Sequence, residues 1–379
     1  MHKLNYLITL LTLFVCNVAK AQFPNNDAAW VPQTSLSDEF DSTAVKLNKW
    51  NTNYWGSSDI SNGAEINYAS NLLSNSSTLK IKADTLKPNV TRAWGTFPDY
   101  GYGTSGQPLT FAYQGGVIQS KTSNYKFGYV EISAKFPSKK YSLWPAFWLM
   151  SSDCNTSGAH FLNEIDIAEN GAVQSFQGNH VGNNYHIGDT TCNYDYAINN
   201  GFDVSVLADG DSLSGVMHTY ALEWDPHSVT WYFDGKPTSQ LYSATGAGLP
   251  QNGMGLLLNF CIQPQYAFLP ANWNGAPVTP HGNNLPTKWP QTFEIDYVHY
   301  YKLVSDCSTD AVICSASIYD RKVKKTISTN TACTPTYSPS TAANSFTLRA
   351  TDYILLNAGF TSSPTGTGYF AAETLACPQ

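Results

Sequence analysis

Three carboxylates stand within six residues of each other in the stretch NEIDIAEN, Asn163–Asn170. Glu164, Asp166 and Glu169 alternate there with branched or small apolar residues, in a chain of which only 13% is charged. Hydrolysis of a glycosidic bond with retention uses two carboxyl groups about 5–5.5 Å apart, one as nucleophile and one as general acid and then base. A third carboxylate between them can move their pKa values in opposite directions. The residue types therefore suit acid–base and nucleophilic chemistry on sugars.

The backbone conformation of this stretch decides whether the three acids converge. On a helix, 100° per residue would scatter them. On a regular strand, Glu164 and Asp166 share one face, but Glu169 falls on the opposite apolar face, where burying a charge is costly. A β-bulge at Ile167-Ala168 adds one residue and returns Glu169 to the acid face. We therefore predict a bulged strand, with Glu164 and Glu169 in the catalytic roles and Asp166 tuning and orienting them.

Two other interpretations of the acids are a surface patch and a calcium site. A surface patch does not explain isoleucine at the alternate positions, or the apolar run WPAFWLM just upstream. Calcium sites usually take their ligands from loops rich in Asp, Asn and Gly. The alternation with apolar residues favours the paired-acid interpretation over both.

The elements that must position these acids are predicted to be strands. Alternating apolar runs recur between Gly, Asn, Pro and Ser turns, for example TLKIKAD, GYVEISAKF, TYALEWD and FEIDYVHYYKL. No long stretch has the 3.6-residue period of a helix. This pattern predicts an all-β sandwich, jelly roll or barrel. YFDGKPT predicts a hairpin that turns at Asp234-Gly235.

Composition divides the 379 residues into three parts. Residues 1–21 have an early lysine, the apolar core LITLLTLFV and the small-x-small site AKA, which predict a secretory signal peptide too short to span a membrane. A buried N-terminal strand is the alternative. Residues 22–304 carry the strand pattern and the acids. Residues 305–379 lose tryptophan and gain cysteine, which predicts a small disulfide-containing β module for attachment, sorting, binding or structural support.

Export favours disulfides among the cysteines. Seven of the eight cysteines follow the signal peptide, and none forms a CxxC pair with zinc spacing. The four that follow residue 305 allow two bridges with three possible connectivities. Pairing of Cys154 with Cys192 would leave Cys261 as an odd, buried thiol.

The charge balance argues against nucleic acid and anionic membranes as partners. The net charge is −7, and the one basic run, 321–325, is more typical of a solvated strand or turn. The 10 Trp and 23 Tyr residues offer rings that can stack on sugars. We expect a monomer that binds a polysaccharide and does not insert into a membrane.

At the acid motif the sequence resembles glycoside hydrolase family 16. The resemblance covers roughly residues 30–304 and includes, in order, LSDEFD, GGVIQSKTSNYKFGYVEISAKFPSKKYSLWPAFWLM, HTYALEWDPHSVTWYFDGK and FEIDYVHYYKL. It implies a β-jelly roll of two curved antiparallel sheets with an open cleft, and endo-acting, retaining hydrolysis. Glu164 would be the nucleophile, Asp166 the helper and Glu169 the acid/base. The E-x-D-x-x-E spacing is that of the bulged branch, which includes laminarinases, agarases and carrageenases.

The same resemblance implies which residues contact the sugar. Trp144 and Trp148 match positions near the cleaved unit, although Trp148 could instead be core. His186 matches a histidine close to the acids, where it would bond Asp166 or the sugar; the alternative is a solvated loop histidine. Further candidates are Asn183, Tyr185, Trp55, Trp94, Tyr113 and Trp273.

Many relatives carry a structural calcium on the convex side, away from the acids. The matching carboxylates are Glu39 and Asp296, which would join the two ends of the domain. Asp296 could instead pair locally. We expect no cofactor for catalysis itself.

The substrate is predicted less directly than the chemistry. A sulfated galactan would call for cations at the cleft, and the chain has only 21 Lys and Arg, among which Arg92 and Lys121 could serve. A neutral β-1,3- or β-1,3-1,4-glucan is therefore the first choice. The stretches AENG and NFCIQPQ depart from the laminarinase pattern, so an agarose-like or porphyran-like galactan is the alternative. A transglycosylase or a non-catalytic carbohydrate-binding jelly roll would share the fold.

Overall fold

The computed structural model describes most of the strand-rich part of the chain. The described residues are 30–54, 58–60, 63–92, 108–137, 142–151, 163–170, 180–188, 194–203, 213–226, 228–242, 248–264, 278–280, 285–303, 305–313, 323–329, 336–337, 346–357, 361–362, 370–374 and 377. Among them no α-helix occurs, and hence none long and apolar enough to cross a membrane.

Nearly all of the described backbone is extended. The strands are β1 (Trp30–Pro32), β2 (Trp50–Asn51), β3 (Glu65–Asn67), β4 (Leu72–Ser74), β5 (Leu79–Arg92), β6 (Leu109–Ser120), β7 (Gly128–Lys135), β8 (Leu143–Met150), β9 (Asn163–Glu169), β10 (His180–Gly188), β11 (Tyr194–Asp203), β12 (His218–Trp224), β13 (Ser228–Phe233), β14 (Lys236–Tyr242), β15 (Gly255–Ile262), β16 (Gln291–Leu303), β17 (Ser305–Ile313), β18 (Val323–Thr329), β19 (Thr336–Tyr337), β20 (Phe346–Leu355), β21 (Thr361–Ser362) and β22 (Phe370–Thr374). A 3₁₀ turn at Ala69–Asn71 separates β3 from β4.

Sixteen strands of the described chain form one curved sheet that folds over its own core. Its main order is β11-β10-β9-β8-β15-β6-β5-β16-β7-β12-β13-β14. We call β11 to β6 the front layer and β5 to β14 the back layer. Both layers contribute apolar residues to one core, for example Ile165 and Leu258 from the front and Ile132 and Phe293 from the back. The predicted all-β jelly roll is confirmed.

Alternation along each strand sorts residues between the core and the outer face. In β16, Phe293, Ile295, Val298 and Tyr300 are buried in the core, while Glu294 points outward. The predicted hairpin is also present. Asp234 and Gly235 both have positive φ, 46° and 72°, as a two-residue turn between β13 and β14 requires.

The C-terminal residues form a separate small sheet, as predicted. Strands β17, β18, β20 and β22 pair in parallel around a core of Ile313, Ile327, Leu348 and Ala350. A disulfide joins Cys307 to Cys377. Cys261 is a buried thiol outside any disulfide, as expected. The other cysteines of the predicted bridges, Cys154, Cys192, Cys314 and Cys333, lie outside the described residues.

One arginine links this small sheet to the back layer. Arg349, in β20, is 1% exposed, and its guanidinium carbon lies 5.6 Å from the centre of the Trp30 ring. Its Nη2 is 3.9 Å from Oε1 of Glu223, whose other oxygen accepts a hydrogen bond from Tyr232 at 2.8 Å. Arg349 therefore contacts both an aromatic face and a carboxylate of the back layer.

Candidate active site

Strand β9 contains the predicted bulge. In its pairing with β8, Asp166 lies opposite Trp148 and Ala168 lies opposite Phe147, so Ile167 is one residue too many. The pairing of β9 with β10 shifts at the same place. The extra residue returns Glu169 to the outer face of the front layer, which confirms the predicted geometry.

Two side chains bind the main-chain carbonyls that surround the bulge. Asn183 of β10 donates its amide Nδ2 to the carbonyl of Ile167 at 2.6 Å. Trp231 of the back layer donates its indole Nε1 to the carbonyl of Asp166 at 2.9 Å, across the core. These bonds satisfy groups that an irregular ladder would leave buried without a partner, and so they stabilise the bulge.

The acids converge with a histidine on the outer face of the front layer. His186 lies opposite Glu164 in the ladder between β10 and β9. Its Nε2 is 3.1 Å from Oδ2 of Asp166, which confirms the predicted contact. One ligand atom from each of Glu164, Asp166 and His186 falls within 4.8 Å of the others.

Glu169 is held by two neutral donors. Trp144 of β8 donates Nε1 to Oε1 of Glu169 at 2.7 Å, and Asn184 of β10 donates Nδ2 to Oε2 at 2.6 Å. Asn184 was not among the residues predicted from sequence. It lies two positions from His186 on the same strand, so the two-residue period of the strand could have identified it.

Burial and mutual repulsion raise the pKa values of the acids. The pKa of Asp166 rises to about 6, first because the group is buried and second because Glu169 is near. Burial and the charge of Glu164 likewise raise the pKa of Glu169, against the donors Trp144 and Asn184. A carboxyl group whose pKa is raised keeps its proton to higher pH, as a general acid requires.

His186 carries the opposite charge at this site. Burial alone would lower its pKa, but the bond to Asp166 and the nearby carboxylates outweigh burial and raise the pKa to about 9. The imidazolium of His186 and the carboxylate of Asp166, 3.1 Å apart, therefore stabilise each other as an ion pair.

Trp148 lies on the same face as the acids and is partly exposed. Its ring packs against an apolar cluster formed by Tyr54, Val117, Met150 and Leu257. Its indole Nε1 donates to Oδ1 of Asn259 at 2.6 Å. The ring is thus anchored at one edge and on one side, next to Asp166 in the ladder.

Two residues predicted to contact sugar face the interior instead. Asn183 is 2% exposed and binds the bulge, and Tyr185 is 1% exposed and donates its hydroxyl to the carbonyl of Gly248 at 2.7 Å. They alternate with Asn184 and His186, so they occupy the other face of β10. The ring of Tyr113, on β6, contacts that of Trp289 at a tilt of 36°. Trp55, Trp94 and Trp273 lie outside the described residues.

The two residues predicted to bind calcium lie near the two ends of the catalytic domain. Oε1 of Glu39 lies 2.7 Å from Nε2 of His299. Asp296 is the extra residue where β16 shifts register against β7. Calcium takes six to eight oxygen ligands, and the imidazole beside Glu39 is not one of them. Calcium binding stays a prediction.

Comparison with known proteins identifies the family. Residues 30–303 match a family model described as "Beta-porphyranase A-D, GH16 domain". A glucan endo-1,3-beta-glucosidase of Cryptopygus antarcticus is 28% identical over 280 residues, which cover 71% of this chain and 91% of that protein.

Two solved structures share the fold. The laminarinase catalytic domain of Thermotoga maritima MSB8 superposes with a TM-score of 0.52 at 24% identity, covering 72% of this chain and 98% of that chain. Porphyranase B of Zobellia galactanivorans gives a TM-score of 0.55 at 18% identity, covering 73% and 94%. The family match spans well over half of the chain and includes the bulged strand and its three acids, so the chain belongs to glycoside hydrolase family 16 and is a glycoside hydrolase.

Proposed function

We propose that this chain is a retaining endo-glycosidase in which Glu164 is the nucleophile, Glu169 the acid/base and Asp166 the helper between them. The observation that carries the proposal is the bulge in β9, because it aligns all three carboxylates on the exposed face of the front layer. The inner face of the same strand is fixed by core residues, so the acids have a rigid support.

Each role follows from the neighbours of the acid. Glu169 accepts bonds from uncharged donors, and its pKa is raised, so it can hold a proton for the leaving oxygen. Glu164 lies beside Asp166 and the cation of His186, which favours a carboxylate ready to attack. Asp166 bonds His186 and lies between the two outer acids on β9.

The reaction proceeds in two displacements. In the first, Glu169 gives its proton to the glycosidic oxygen while a carboxylate oxygen of Glu164 bonds to the anomeric carbon, and the C–O bond to the leaving sugar breaks. In the second, Glu169 takes a proton from water, whose oxygen bonds to the anomeric carbon as the ester to Glu164 breaks. Two inversions restore the original configuration, and both carboxyl groups return to their starting states.

The favoured substrate is a β-linked galactan of the porphyran or agarose class. This choice is supported by the match of residues 30–303 to the beta-porphyranase family model, and it replaces the neutral glucan favoured from composition. For a sulfated galactan, the cations named from the sequence and the site already have partners: Arg92 is engaged by Asp59 at 2.7 Å, and His186 by Asp166 at 3.1 Å.

A β-1,3-glucan is the second candidate. It is supported by the 28% identity to the Cryptopygus antarcticus glucan endo-1,3-beta-glucosidase over nine-tenths of that protein. Trp144 and Trp148, on the acid-bearing face, would stack on either kind of sugar ring.

We also propose that the protein is exported and has two folded parts. The N-terminal motif described above and the Cys307–Cys377 disulfide support an oxidising compartment. The family match ends at residue 303, just before the C-terminal sheet begins. N-terminal sequencing of the exported protein would test cleavage before Gln22; an intact Met1 would contradict it.

Product release from a panel of polymers tests the proposed chemistry and substrate together. Porphyran, agarose, carrageenan, laminarin and mixed-linkage glucan are incubated with the wild type, with Glu164→Gln and with the back-layer control Glu294→Gln. We expect the wild type and the control to release oligosaccharides from a galactan, and NMR should show that the newly formed reducing ends are initially β. Glu164→Gln should release no product. Release only from laminarin would select the second substrate. Turnover by Glu164→Gln at the rate of the control would refute the nucleophile.

A further inference from the structure

A row of buried polar groups runs from Trp148 into the front layer, and the reaction itself does not use it. Asn259 and Cys261 occupy alternate positions of β15, on the face opposite the core. They are 4% and 3% exposed. Glu65 of β3 lies at the far end of this row and is fully buried. Buried polar groups of this kind are retained where they are hydrogen-bonded to each other.

An indole N–H can only donate, so the chemistry of Trp148 fixes the direction of the first two bonds of the row. The bond of 2.6 Å from Trp148 must reach the amide oxygen of Asn259. The amide nitrogen then faces Cys261 and lies 2.9 Å from its sulfur. Beyond Cys261 lies the carboxyl of Glu65, whose pKa burial raises to about 7 while hydrogen bonds from the main chain of Ile262 and from Cys261 act against that rise.

The far end of the row is anchored to the backbone. Oε2 of Glu65 accepts the main-chain N–H of Ile262 at 2.7 Å. The hydroxyl of Tyr54 lies 3.6 Å from the sulfur of Cys261, and Tyr54 also belongs to the apolar cluster under Trp148. The row and the cluster therefore hold the same ring from two sides.

The row of polar groups bonds to a tryptophan ring, that of Trp148, which lies beside the catalytic acids. Trp148 lies opposite Asp166 in the ladder, and Asn259 lies opposite Ala146, between the two tryptophans of β8. A ring already fixed in its plane loses little freedom when a sugar stacks on it, so the row strengthens binding by holding the Trp148 ring in advance.

We propose that Asn259, held by Cys261 and Glu65, is a positioning residue that fixes the plane of Trp148 as the platform for the sugar beside the catalytic acids. The inference rests on the proposed function, since it takes Trp148 to contact substrate. Asn259 acts only through Trp148, because it is buried behind the ring. Loss of Asn259 should therefore weaken binding of substrate more than it slows the chemical steps.

A double-mutant cycle tests whether Asn259 acts through Trp148. The variants are Asn259→Ala, Trp148→Phe, which keeps a ring but removes the donor, and the double variant. We expect each single variant to raise KM about tenfold, the equivalent of one good hydrogen bond or stacking contact, with kcat nearly unchanged. The double variant should be no worse than the single ones. Additive effects, or an unchanged KM in Asn259→Ala, would overturn the proposal.

A matched pair at Cys261 tests the middle of the row. Cys261→Ser keeps an acceptor and a donor of similar size, so KM should stay close to that of the wild type. Cys261→Ala removes both and should raise KM part of the way towards Asn259→Ala. Equal KM values in the two variants would show that the row ends at Asn259.

An activity-independent measurement separates this inference from the proposed function. The indole N–H of Trp148 is assigned in NMR spectra by its absence in Trp148→Phe, and its exchange with deuterated water is followed. Slow exchange in the wild type and Cys261→Ser, and exchange at least about tenfold faster in Asn259→Ala, would support the row. Rapid exchange in the wild type would refute it. No turnover of any polymer by the wild type would instead refute the proposed function alone.

Discussion

Two outward-facing parts of the sandwich, the acid cluster of the front layer and Glu294 of the back layer, surround their carboxylates in opposite ways. On the front face, Glu164, Asp166 and Glu169 lie together, and the neighbours that bind them are an indole, an amide and one histidine. On the back face, Glu294 stands alone between Lys80 at 3.3 Å and Lys135 at 3.1 Å. Strand alternation brings both sets outward, so the difference lies in how deeply the carboxylates are buried and in their neighbours.

The pKa values record this difference. Burial and neighbouring acids raise the pKa of Asp166 and of Glu169. Burial also acts to raise the pKa of Glu294, but the two lysines outweigh it and lower the pKa. A carboxylate paired with cations stabilises the fold near neutral pH, whereas the raised pKa values of Asp166 and Glu169 cost stability there. Among these outward-facing acids, the raised pKa marks the catalytic candidates and the lowered pKa marks an ion pair that supports the fold.

The largest expected effect is at Glu169. Glu169→Gln removes the proton donor, so hydrolysis of polysaccharide should fall on the order of a thousandfold. A substrate with a dinitrophenyl leaving group needs no acid, so its first step should persist, as a burst of dinitrophenol. The same substrate should give no burst with Glu164→Gln. If Glu169→Gln lost the cleavage of the polymer and of the aryl glycoside to the same extent, the assignment of Glu169 as the acid/base would be wrong.

The next effect is on stability, at the back face. Arg349→Met removes a buried cation from the Trp30 ring and from Glu223, so the free energy of unfolding should fall by about 2 kcal/mol. Activity on polysaccharide at 25 °C should not change. Thermal unfolding followed by circular dichroism measures the loss. Lys325→Met, an exposed lysine on the neighbouring strand, is the control. If Arg349→Met lowered the rate of hydrolysis without lowering the free energy of unfolding, the distinction between a catalytic front face and a structural back face would be wrong.

A smaller effect is expected in the pH profile. The cation of His186 lowers the pKa of Glu169, so His186→Gln should raise that pKa. Glu169 must be protonated for the first step, so the alkaline limb of kcat/KM should move to higher pH, with a rate loss of about tenfold.

The histidine of the back face is the control for this shift. His299→Gln, which removes the partner of Glu39, should leave the profile in place. An alkaline limb that stays fixed in His186→Gln would mean that His186 carries no charge at the working pH.

The smallest effect is at Glu294. Because its pKa is lowered in the folded state, it contributes stability above its unfolded value of about 4.5, and this contribution is lost as the pH falls below that value. Glu294→Gln should cost about 0.2–1 kcal/mol at pH 7, as surface pairs do, and nothing at pH 3. Urea unfolding at the two pH values measures this. An equal cost at both would show that the charge of Glu294 plays no part.

The bulge was predictable from the sequence because the cost of burying a carboxylate excluded a regular strand and left a bulged one. Glu169 on the apolar face would be buried among Ile165 and the core, which is too costly for a carboxylate. The hairpin at Asp234-Gly235 and the all-β pattern were predictable for similar local reasons, since turn residues and alternation act within a few positions. The contact of His186 with Asp166 was expected from family resemblance and is present.

The predictions that were wrong concern which face of a strand a residue occupies, because the order of residues along the chain does not determine it. On β10 the wrong pair of alternate residues was assigned to the sugar. Asn183 and Tyr185 face inward, and Asn184 faces the acids beside His186. A one-residue choice of register reverses every side chain of a strand, and only the neighbouring strands decide it.

The sequence by itself determined the fold class, the bulged strand and the three acids, because these depend on periodicity and on the cost of burying charge over a few residues. The tertiary structure decided which residues serve the acids. Trp144, Asn184 and Trp231 reach β9 from three other strands, and Asn259 reaches Trp148 from a fourth. Those hydrogen bonds join residues from 15 to 111 positions apart. Such contacts arise from strand order and register in the folded sheet. The local period places Asn184 on the same face as His186, but only the sheet decides that this face meets the acids.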